Sequence, residues 1–189
     1  MHEYERQVRE YRPVCEQEER DQRLMLQYLQ LFSETIGTRQ CEIGHMTASS
    51  LIFNEDRGKL LMVYHNIYQS WSWTGGHADG ETDLLLTAVR EAKEETGLSK
   101  VRPIRSEAKS LDILPVWGHW KRGRYVSSHQ HLNLTYFLEA DEEEAVQIKA
   151  DENSGVAWIP LAKLKDKVTE REMLPVYEKL IKRALREKI

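Results

Sequence analysis

The first part of the chain has the hydrophobic spacing of an amphipathic helix. In residues 16–32, Glu and Arg fill one face, and the apolar residues recur three or four positions apart. These apolar residues are Leu24, Tyr28, Leu31 and Phe32. The spacing predicts a helix whose apolar face carries these four side chains, and Gly37 is a typical stop signal for such a segment.

The pattern then changes to that of β-strands. Residues 45–53 alternate between two faces, and Lys59–His65 is a nearly continuous apolar run. The residues between them, 54–58, have turn chemistry, so a hairpin is predicted. Residues 70–73 predict another short strand, and residues 74–80 predict a loop without regular structure.

A second helix is predicted over residues 82–96, with Gly97 ending it in the left-handed conformation that favours glycine. Its buried stripe is predicted to consist of Leu85, Ala88, Val89, Ala92 and Thr96. Further strands are predicted at residues 104–114, 131–139, 146–148 and 155–159. A basic loop is predicted at residues 118–128, and helices are predicted to begin near residues 160 and 173.

Composition limits the classes of function. The 189 residues are 40% hydrophobic and 31% charged, which is typical of a globular domain. The net charge of −4 disfavours binding to a nucleic-acid duplex through bulk charge. Cys15 and Cys41 are too few for a disulfide framework and are expected to be free thiols. Without a secretory signal or an apolar run near ~20 residues, we expect a cytoplasmic protein with no membrane partner.

Three glutamates crowd one side of the predicted second helix. Glu91 precedes Glu94 by three residues and Glu95 by four, so their carboxylates repel each other. Arg90 can pair with Glu94 but leaves excess negative charge. The cluster is either a solvated face or a site for a hard cation such as Mg²⁺ or Mn²⁺, with water attacking phosphorus. The double glycine ahead of the helix favours the second interpretation, because it allows a ligand close to the backbone.

The glycine loop and the glutamate helix together resemble the Nudix box. The family pattern is G-x₅-E-x₇-R-E-U-x-E-E-x-G-U, in which U is bulky and aliphatic. Residues 90–98 match its second half, with Ala92 as a small version of U. Counting back from Arg90 makes Gly76 the box glycine. The remaining glutamate of the pattern would then fall on residue 82, whereas Glu81 stands one position early, which leaves its supporting role open.

The resemblance implies an α/β fold, specifically an α/β/α sandwich with a mixed sheet and added N- and C-terminal helices. Residues 1–40 would be a helical extension packed on the core, and residues 41–189 the Nudix domain ending in a helix. The implied cofactor is Mg²⁺ (or Mn²⁺). Its implied ligands are Glu91, Glu94, Glu95 and the carbonyl group of Gly76.

A fourth carboxylate is implied by the loop before the late strand. Glu152 resembles the position from which the family supplies it, although a glutamate in a loop can also simply face water. Arg90 is implied to orient the glutamates, and the general base is either Glu94 or Glu152. The residues implied in catalysis are therefore Arg90, Glu94, Glu95 and Glu152.

Basic residues and histidines outside the helix are candidate substrate contacts. The basic ones, which either hold phosphates or form a solvated turn, are Lys121, Arg122 and Arg124. His129 and His131 share one strand face, but no third ligand at fixed spacing supports a zinc site. They are expected either to contact substrate or to be ordinary half-buried side chains. His77, within the box loop, is expected near the substrate.

The resemblance implies hydrolysis of the pyrophosphate linkage of a nucleoside diphosphate joined to another moiety. Such substrates include nucleotide sugars, ADP-ribose, dinucleoside polyphosphates and nucleoside triphosphates, so the expected partner is a small nucleotide-type molecule. An inactive binding domain usually loses box glutamates, and all three are present here. A prenyl diphosphate isomerase requires a reactive cysteine, but Cys41 precedes the sheet. The flanking helices either cap the site, form a homodimer interface or simply pack.

Overall fold

The computed structural model describes residues 1–121 and 123–187. Its strands are β1 (Gly44–Phe53), β2 (Lys59–His65), β3 (Ser70–Ser72), β4 (Thr74–His77), β5 (Arg102–Pro103), β6 (Ser110–Val116), β7 (His119–Lys121), β8 (Arg124–Val126), β9 (His129–Glu139) and β10 (Asn153–Pro160). Its helices are α1 (Glu3–Glu10), α2 (Glu16–Leu31), α3 (Leu84–Thr96), α4 (Leu164–Lys167) and α5 (Leu174–Arg186), with a 3₁₀ turn at Leu161–Lys163.

β1 and β9 lie at the centre of a mixed sheet. They run parallel, from Gly44 opposite Gln130 to Phe53 opposite Glu139. The other described pairs of this sheet are antiparallel, with β2 and β4 on the far side of β1 and with β5 and β6 beside β9. β10 and β3 pair with β2. Helices cover both faces, so the predicted α/β/α arrangement is confirmed.

The first face of the sheet packs against α3 and the two N-terminal helices. Met46 of β1 and Leu132 of β9 belong to the same buried cluster as Ala88 of α3 and Tyr4 of α1. This packing holds α3 across the two central strands. The boundary predicted at residues 40 and 41 stays a prediction.

α2 turns a different side inward from the one its apolar spacing indicated. Met25 and Leu29 are buried, whereas Leu24 is 43% exposed and Leu31 is 74% exposed. The apolar face predicted from these leucines was therefore wrong in part. The inward face of α2 carries the fully buried Glu18 as well as apolar residues. The pattern of polar and apolar residues assigned charged side chains to the solvent face, so it misplaced the buried face.

A buried ion-pair network joins α2 to α5. The Glu18 carboxylate accepts a hydrogen bond from Arg183 at 2.9 Å and lies 3.2 Å from the ammonium group of Lys179. Lys179 also pairs with Asp112 of β6 at 2.6 Å. Burial pushes the pKa of Glu18 upward, but the N–H group of Val14 and the two cations outweigh it and lower the pKa.

The second face of the sheet packs against α5. Tyr177 and Leu180 of α5 lie in one buried cluster with Leu51 of β1 and Phe137 of β9. Leu185, near the end of α5, is 60% exposed and lies outside this cluster. No helix of the described residues has both the length and the apolar composition needed to cross a membrane.

Residues 74–77 form strand β4, and the loop predicted there was wrong for these four residues. β4 pairs with β1 from Thr74 opposite Ser50 to His77 opposite Thr47. The irregular part comes later, where Asp79 and Gly80 have φ angles of 47° and 96°. The double glycine suggested a loop because glycine weakens strands, but here it permits close packing on both sides of β4.

Two later strand predictions were also wrong in part. Residues 146–148 do not form a strand, because the N–H group of Gln147 donates to the Thr96 carbonyl at 2.7 Å and closes the end of α3. The strand predicted from residue 104 is interrupted, and β6 begins only at Ser110.

The ends of α3 agree with the sequence more closely. Asp83 caps its first turn by accepting the N–H group of Leu85 at 3.0 Å. Gly97 follows its last residue with φ 74°, as predicted. The helix begins at Leu84 rather than at residue 82, and Leu84 is a buried residue that the predicted stripe omitted.

Candidate active site

β4 brings the double glycine against both its neighbouring strand and the glutamate helix. A Cβ atom on Gly75 would lie 2.6 Å from the Ser49 hydroxyl oxygen. A Cβ atom on Gly76 would collide with the carboxyl group of Glu91. The absence of a side chain at Gly76 is therefore what allows the Glu91 carboxylate to lie against the backbone of β4.

Glu95 is the most buried carboxylate of the site. It is 5% exposed, and the N–H group of Gly75 donates to its carboxylate at 2.8 Å. Burial raises the pKa of Glu95 to about 8, with a contribution from the negative charges of Glu91 and Glu152, although the Gly75 hydrogen bond opposes this. Burial is thus the main cause of the raised pKa of Glu95, and the positive charge of Lys149 does not offset it.

Arg90 holds the neighbouring glutamates. Its guanidinium group donates to the Glu91 carboxylate at 2.9 Å, and its Nε atom lies 3.9 Å from Glu94. These contacts raise the pKa of the arginine, mainly through the hydrogen bond to Glu91. Glu94 faces the solvent with 48% of its side chain exposed.

Glu152 joins this cluster through a lysine that the sequence analysis did not single out. The ammonium group of Lys149 lies 2.9 Å from Glu152 and 3.5 Å from Glu94. Burial pushes the pKa of Lys149 down, but the surrounding glutamates outweigh it and raise the pKa. The spacing of Lys149 three residues before Glu152 was a usable signal, but the contact with Glu94 depends on the tertiary fold.

Asn153 fixes the loop that carries Glu152. Its side-chain amide donates to the backbone carbonyl of Glu95 at 2.9 Å and accepts the N–H group of Lys149 at 3.2 Å. Asn153 is 1% exposed, so these bonds lie in the interior. They place Glu152 beside the last turn of α3. A buried asparagine in a polar loop gave no signal in the sequence.

The donor set fits a hard divalent cation. Four carboxylates meet here, those of Glu91, Glu94, Glu95 and Glu152, whereas Arg90 and Lys149 supply two positive charges. Oxygen ligands and excess negative charge are what Mg²⁺ and Mn²⁺ require. After burial, which is the largest cause, the negative charges of Glu91 and Glu152 add to the raised pKa of Glu95.

Glu81 supports the start of the helix despite its early position in the pattern. Its carboxylate accepts the N–H groups of Thr82 at 2.7 Å and of Asp83 at 2.9 Å. These two backbone hydrogen bonds lower the pKa of Glu81. The loop thus gains its local support one residue before the position in the family pattern.

The predicted basic contacts lie on a separate hairpin. Lys121 of β7 pairs with Arg124 of β8, and both are exposed. Arg122, between them, lies outside the described residues. The charge of Lys121 helps to lower the pKa of His77, after the larger effects of burial and Arg39. The hairpin therefore lies near the box loop.

The predicted histidines come together in one cluster. His77, His129 and His131 meet His45 of β1, which the sequence analysis did not select. Linear spacing alone offers His129 and His131 no third metal ligand. The parallel pairing of β1 with β9, which sets His45 opposite His131, could not be derived from that spacing.

Comparison with known sequences identifies the domain type. Residues 44–180, which are most of the chain, match the NUDIX domain. A probable DHNTP pyrophosphohydrolase of Lactococcus lactis is 31% identical over 100 residues, covering 53% of this chain and 57% of that protein. A CMP-5'-(N-acetyl-N-hydroxy-3-aminopropyl)phosphonate hydrolase of Streptomyces rubellomurinus is 32% identical over 120 residues, covering 60% and 51%. The chain thus spans little more than half the length of these two relatives.

Solved structures share the fold at low identity. The dihydroneopterin triphosphate pyrophosphohydrolase of E. coli aligns with TM-score 0.54 and 14% identity, over 72% of this chain and 94% of that one. The MutT protein of Methanosarcina mazei aligns with TM-score 0.53 and 18% identity, over 77% and 96%. At these identities the likeness shows the mixed α/β fold alone.

Proposed function

Because the chain belongs to the NUDIX family, we propose that it is a metal-dependent hydrolase of phosphoric anhydrides. Its substrate would be a nucleoside diphosphate joined to another moiety, such as a nucleotide sugar, ADP-ribose, a dinucleoside polyphosphate or a nucleoside triphosphate. The proposal rests on the chemistry of the site and on the reactions named for the two sequence relatives, a pyrophosphohydrolase and a hydrolase of a CMP derivative.

The observation that carries the proposal is the buried, uncompensated carboxylate of Glu95 among three further glutamates. A structural ion pair would balance this charge, and a solvated face would expose it. Here burial and the neighbouring negative charges raise the pKa of Glu95 to about 8 instead. Sites with strongly perturbed carboxylates are concentrated at functional centres.

Glu91, Glu94, Glu95 and the Gly76 carbonyl would hold Mg²⁺ or Mn²⁺, which when bound neutralises phosphate oxygens and makes water a stronger nucleophile. The residues of this chain have defined tasks around it. The Gly75 N–H group fixes the Glu95 carboxylate, and Arg90 fixes that of Glu91. Positioning of this kind lowers the entropic cost of reaching the transition state.

Two carboxylates are candidates for removing the proton from water. Glu94 and Glu152 share Lys149, which lies 3.5 Å from the first and 2.9 Å from the second. Both face the solvent more than Glu95 does, with side-chain exposures of 48% and 43%. Either one can therefore meet a water molecule at the rim of the site, and Lys149 stabilises its negative charge before the proton arrives.

The β7–β8 hairpin offers groups suited to the rest of a nucleotide. Trp120 is 73% exposed and lies 5.6 Å from the ring of Tyr125, which is also exposed. Lys121 and Arg124 stand beside them and attract phosphate charge. Exposed aromatic rings next to basic residues suit a base linked to phosphates.

A substrate panel tests the proposal. The purified protein is incubated with Mg²⁺ or Mn²⁺ and with nucleotide sugars, ADP-ribose, dinucleoside polyphosphates, nucleoside triphosphates and dihydroneopterin triphosphate. Released phosphate is measured after coupling to a phosphatase for the substrates without a terminal phosphate, and to an inorganic pyrophosphatase for the triphosphates. We expect Glu95→Gln to lower kcat at least about 100-fold, because several kcal/mol of charge stabilisation is lost. Glu143→Gln, which removes an exposed carboxylate from a distant turn, is the matched control and keeps full activity.

Other outcomes separate the alternatives. Metal-dependent binding of a nucleotide without turnover of any substrate would indicate a binding domain. Equal rates for the wild type and Glu95→Gln would refute the assigned centre, provided that circular dichroism shows both proteins folded. Rearrangement of a prenyl diphosphate in place of phosphate release would indicate an isomerase.

A further inference from the structure

Four histidines form a compact cluster at one end of the sheet. His45, His77, His129 and His131 each offer a ring nitrogen, and these nitrogens all lie within 4.8 Å of one another. The ring centroid of His45 lies 4.9 Å from that of His77, 4.9 Å from that of His129 and 5.4 Å from that of His131. His77 and His131 are themselves 4.9 Å apart. The four side chains thus surround one common point.

The strand register explains this convergence. His45 lies opposite His131 in the parallel pairing of β1 and β9, and His77 lies opposite Thr47, two residues along β1. His129 precedes His131 by two residues on β9, which keeps both on one face of the strand. Three strands that are far apart in sequence therefore supply four imidazoles to the same face.

This face is not the one that carries the glutamates. The missing side chain of Gly76 points at Glu91 of α3, and side chains alternate along a strand. His77, the next residue, therefore points to the opposite side of β4. The histidine cluster and the carboxylate cluster share a strand but lie on different faces of the sheet.

The ring orientations suit metal ligation. The Nδ1 atom of His45 lies 3.1 Å from the Cys41 carbonyl oxygen, and that of His129 lies 2.9 Å from the Ser127 carbonyl oxygen. As donors to these carbonyls, both rings leave the Nε2 lone pair free, which is the arrangement that metal-binding histidines adopt. The Nε2 atoms of His45 and His131 are buried and have no hydrogen-bond partner among the described residues. His45 itself is only 5% exposed.

A buried polar atom without a hydrogen-bond partner raises the free energy of the folded state, so the Nε2 atoms of His45 and His131 require an explanation. Burial is the largest cause that lowers the pKa of both His77 and His131. A metal ion would satisfy both orphan nitrogens at once.

We propose that His45, His77, His129 and His131 bind one zinc-class transition-metal ion, in a site separate from the glutamate centre. Imidazole ligands select Zn²⁺ and similar ions, whereas Mg²⁺ prefers oxygen. Tetrahedral Zn²⁺ with Zn–N bonds of about 2.0 Å places its ligand nitrogens about 3.3 Å apart, which small rotations of these rings achieve. Four protein ligands make a closed site, and closed sites are structural. The ion would fasten the ends of β1, β4 and β9 together.

Metal titration of the full chain tests this inference without any activity assay. The protein is stripped with a chelator, saturated with Mg²⁺ to fill the carboxylate centre, and titrated with Co²⁺ as an optical substitute for Zn²⁺. Visible absorption reports tetrahedral coordination, elemental analysis gives the stoichiometry for Zn²⁺, and circular dichroism verifies the fold of each variant. The variants are His77→Gln, His131→Gln and the matched control His119→Gln, whose imidazole lies on β7 outside the cluster.

We expect one ion per chain in the wild type and in His119→Gln. His77→Gln and His131→Gln should weaken binding at least about 100-fold, because loss of outer partners alone costs about 10–100-fold. His77 and His131 are both half-buried, so either variant keeps the test valid if the other fails to fold. Glu95→Gln should bind Co²⁺ as the wild type does, which separates this site from the proposed hydrolytic centre. A wild type that takes up no Co²⁺ or Zn²⁺, or undiminished binding by His77→Gln, overturns the proposal.

Discussion

The buried carboxylate of Glu95 makes the stability of the metal-free protein depend on pH. In the unfolded chain this group loses its proton near pH 4.5, whereas in the folded protein it holds the proton up to about pH 8. Between these values the folded state binds one more proton than the unfolded state, so the free energy of unfolding falls as pH rises. At about 1.36 kcal/mol per pH unit, this interval corresponds to at most about 5 kcal/mol.

The substitution Glu95→Gln removes that dependence. Glutamine keeps a carbonyl oxygen for the Gly75 N–H group but has no proton to lose. At pH 5, where the wild-type carboxyl is protonated, we expect the two proteins to differ by about 1 kcal/mol or less. At pH 9 the variant should be more stable by several kcal/mol, up to the limit of about 5.

Urea unfolding in EDTA at pH 5 and pH 9, followed by tryptophan fluorescence, measures this difference. Glu94→Gln is the matched control, because it removes the adjacent charge from the same helix at a position with 48% exposure. Its surface pairs contribute at most about 1 kcal/mol, so its pH profile should run parallel to that of the wild type. Adding Mn²⁺ at pH 9 should stabilise the wild type more than Glu95→Gln. A parallel profile for Glu95→Gln in EDTA would refute the reasoning.

Two further changes follow from the packing. Gly76→Ala should destabilise the protein by about 1–3 kcal/mol and weaken binding of Mn²⁺, because its Cβ atom collides with the Glu91 carboxyl group. Gly58→Ala, where a Cβ atom meets nothing within 4 Å, is its control, and equal effects on metal affinity would contradict this account. Glu18→Gln should lower the free energy of unfolding by about 3–5 kcal/mol, since it removes the carboxylate that pairs with Arg183 inside the protein, while Lys179 keeps its pair with Asp112. Glu16→Gln at the exposed start of the same helix should change it by less than about 0.5 kcal/mol, and a similar loss in both variants would count against the network.

The elements that could be predicted were those whose hydrophobic pattern or end signal lies within a single stretch of sequence. The strand Lys59–His65 has the bounds that its apolar run indicated, and α3 ends at the predicted glycine. Strand β4 was missed, because two adjacent glycines favour a strand only where neighbouring side chains leave no room for a Cβ atom, and these neighbours are known only from the fold. Here Ser49 on one side and Glu91 on the other leave no room for a side chain.

In the candidate site too, some residues are indicated by local spacing and others only by the folded structure. The three glutamates of α3 follow from helical spacing, and their shared side is visible in the sequence alone. Lys149 and Asn153 come from a loop that reaches α3 only in the folded chain, so local patterns do not indicate them. His45 had no such signal either, because its contact with His131 depends on the parallel pairing of strands distant in sequence.

The network around Glu18 sets an order for completing the fold during synthesis. Glu18 and Arg183 are separated by 165 positions, and Lys179 is nearly as far. As the chain leaves the ribosome, the glutamate emerges long before either cation that balances it. Burying such a charge without its partners is costly, so we expect α2 to dock fully only after α5 has been made. The helices that cover the sheet and its carboxylate centre would therefore reach their final packing only once the last helix has formed.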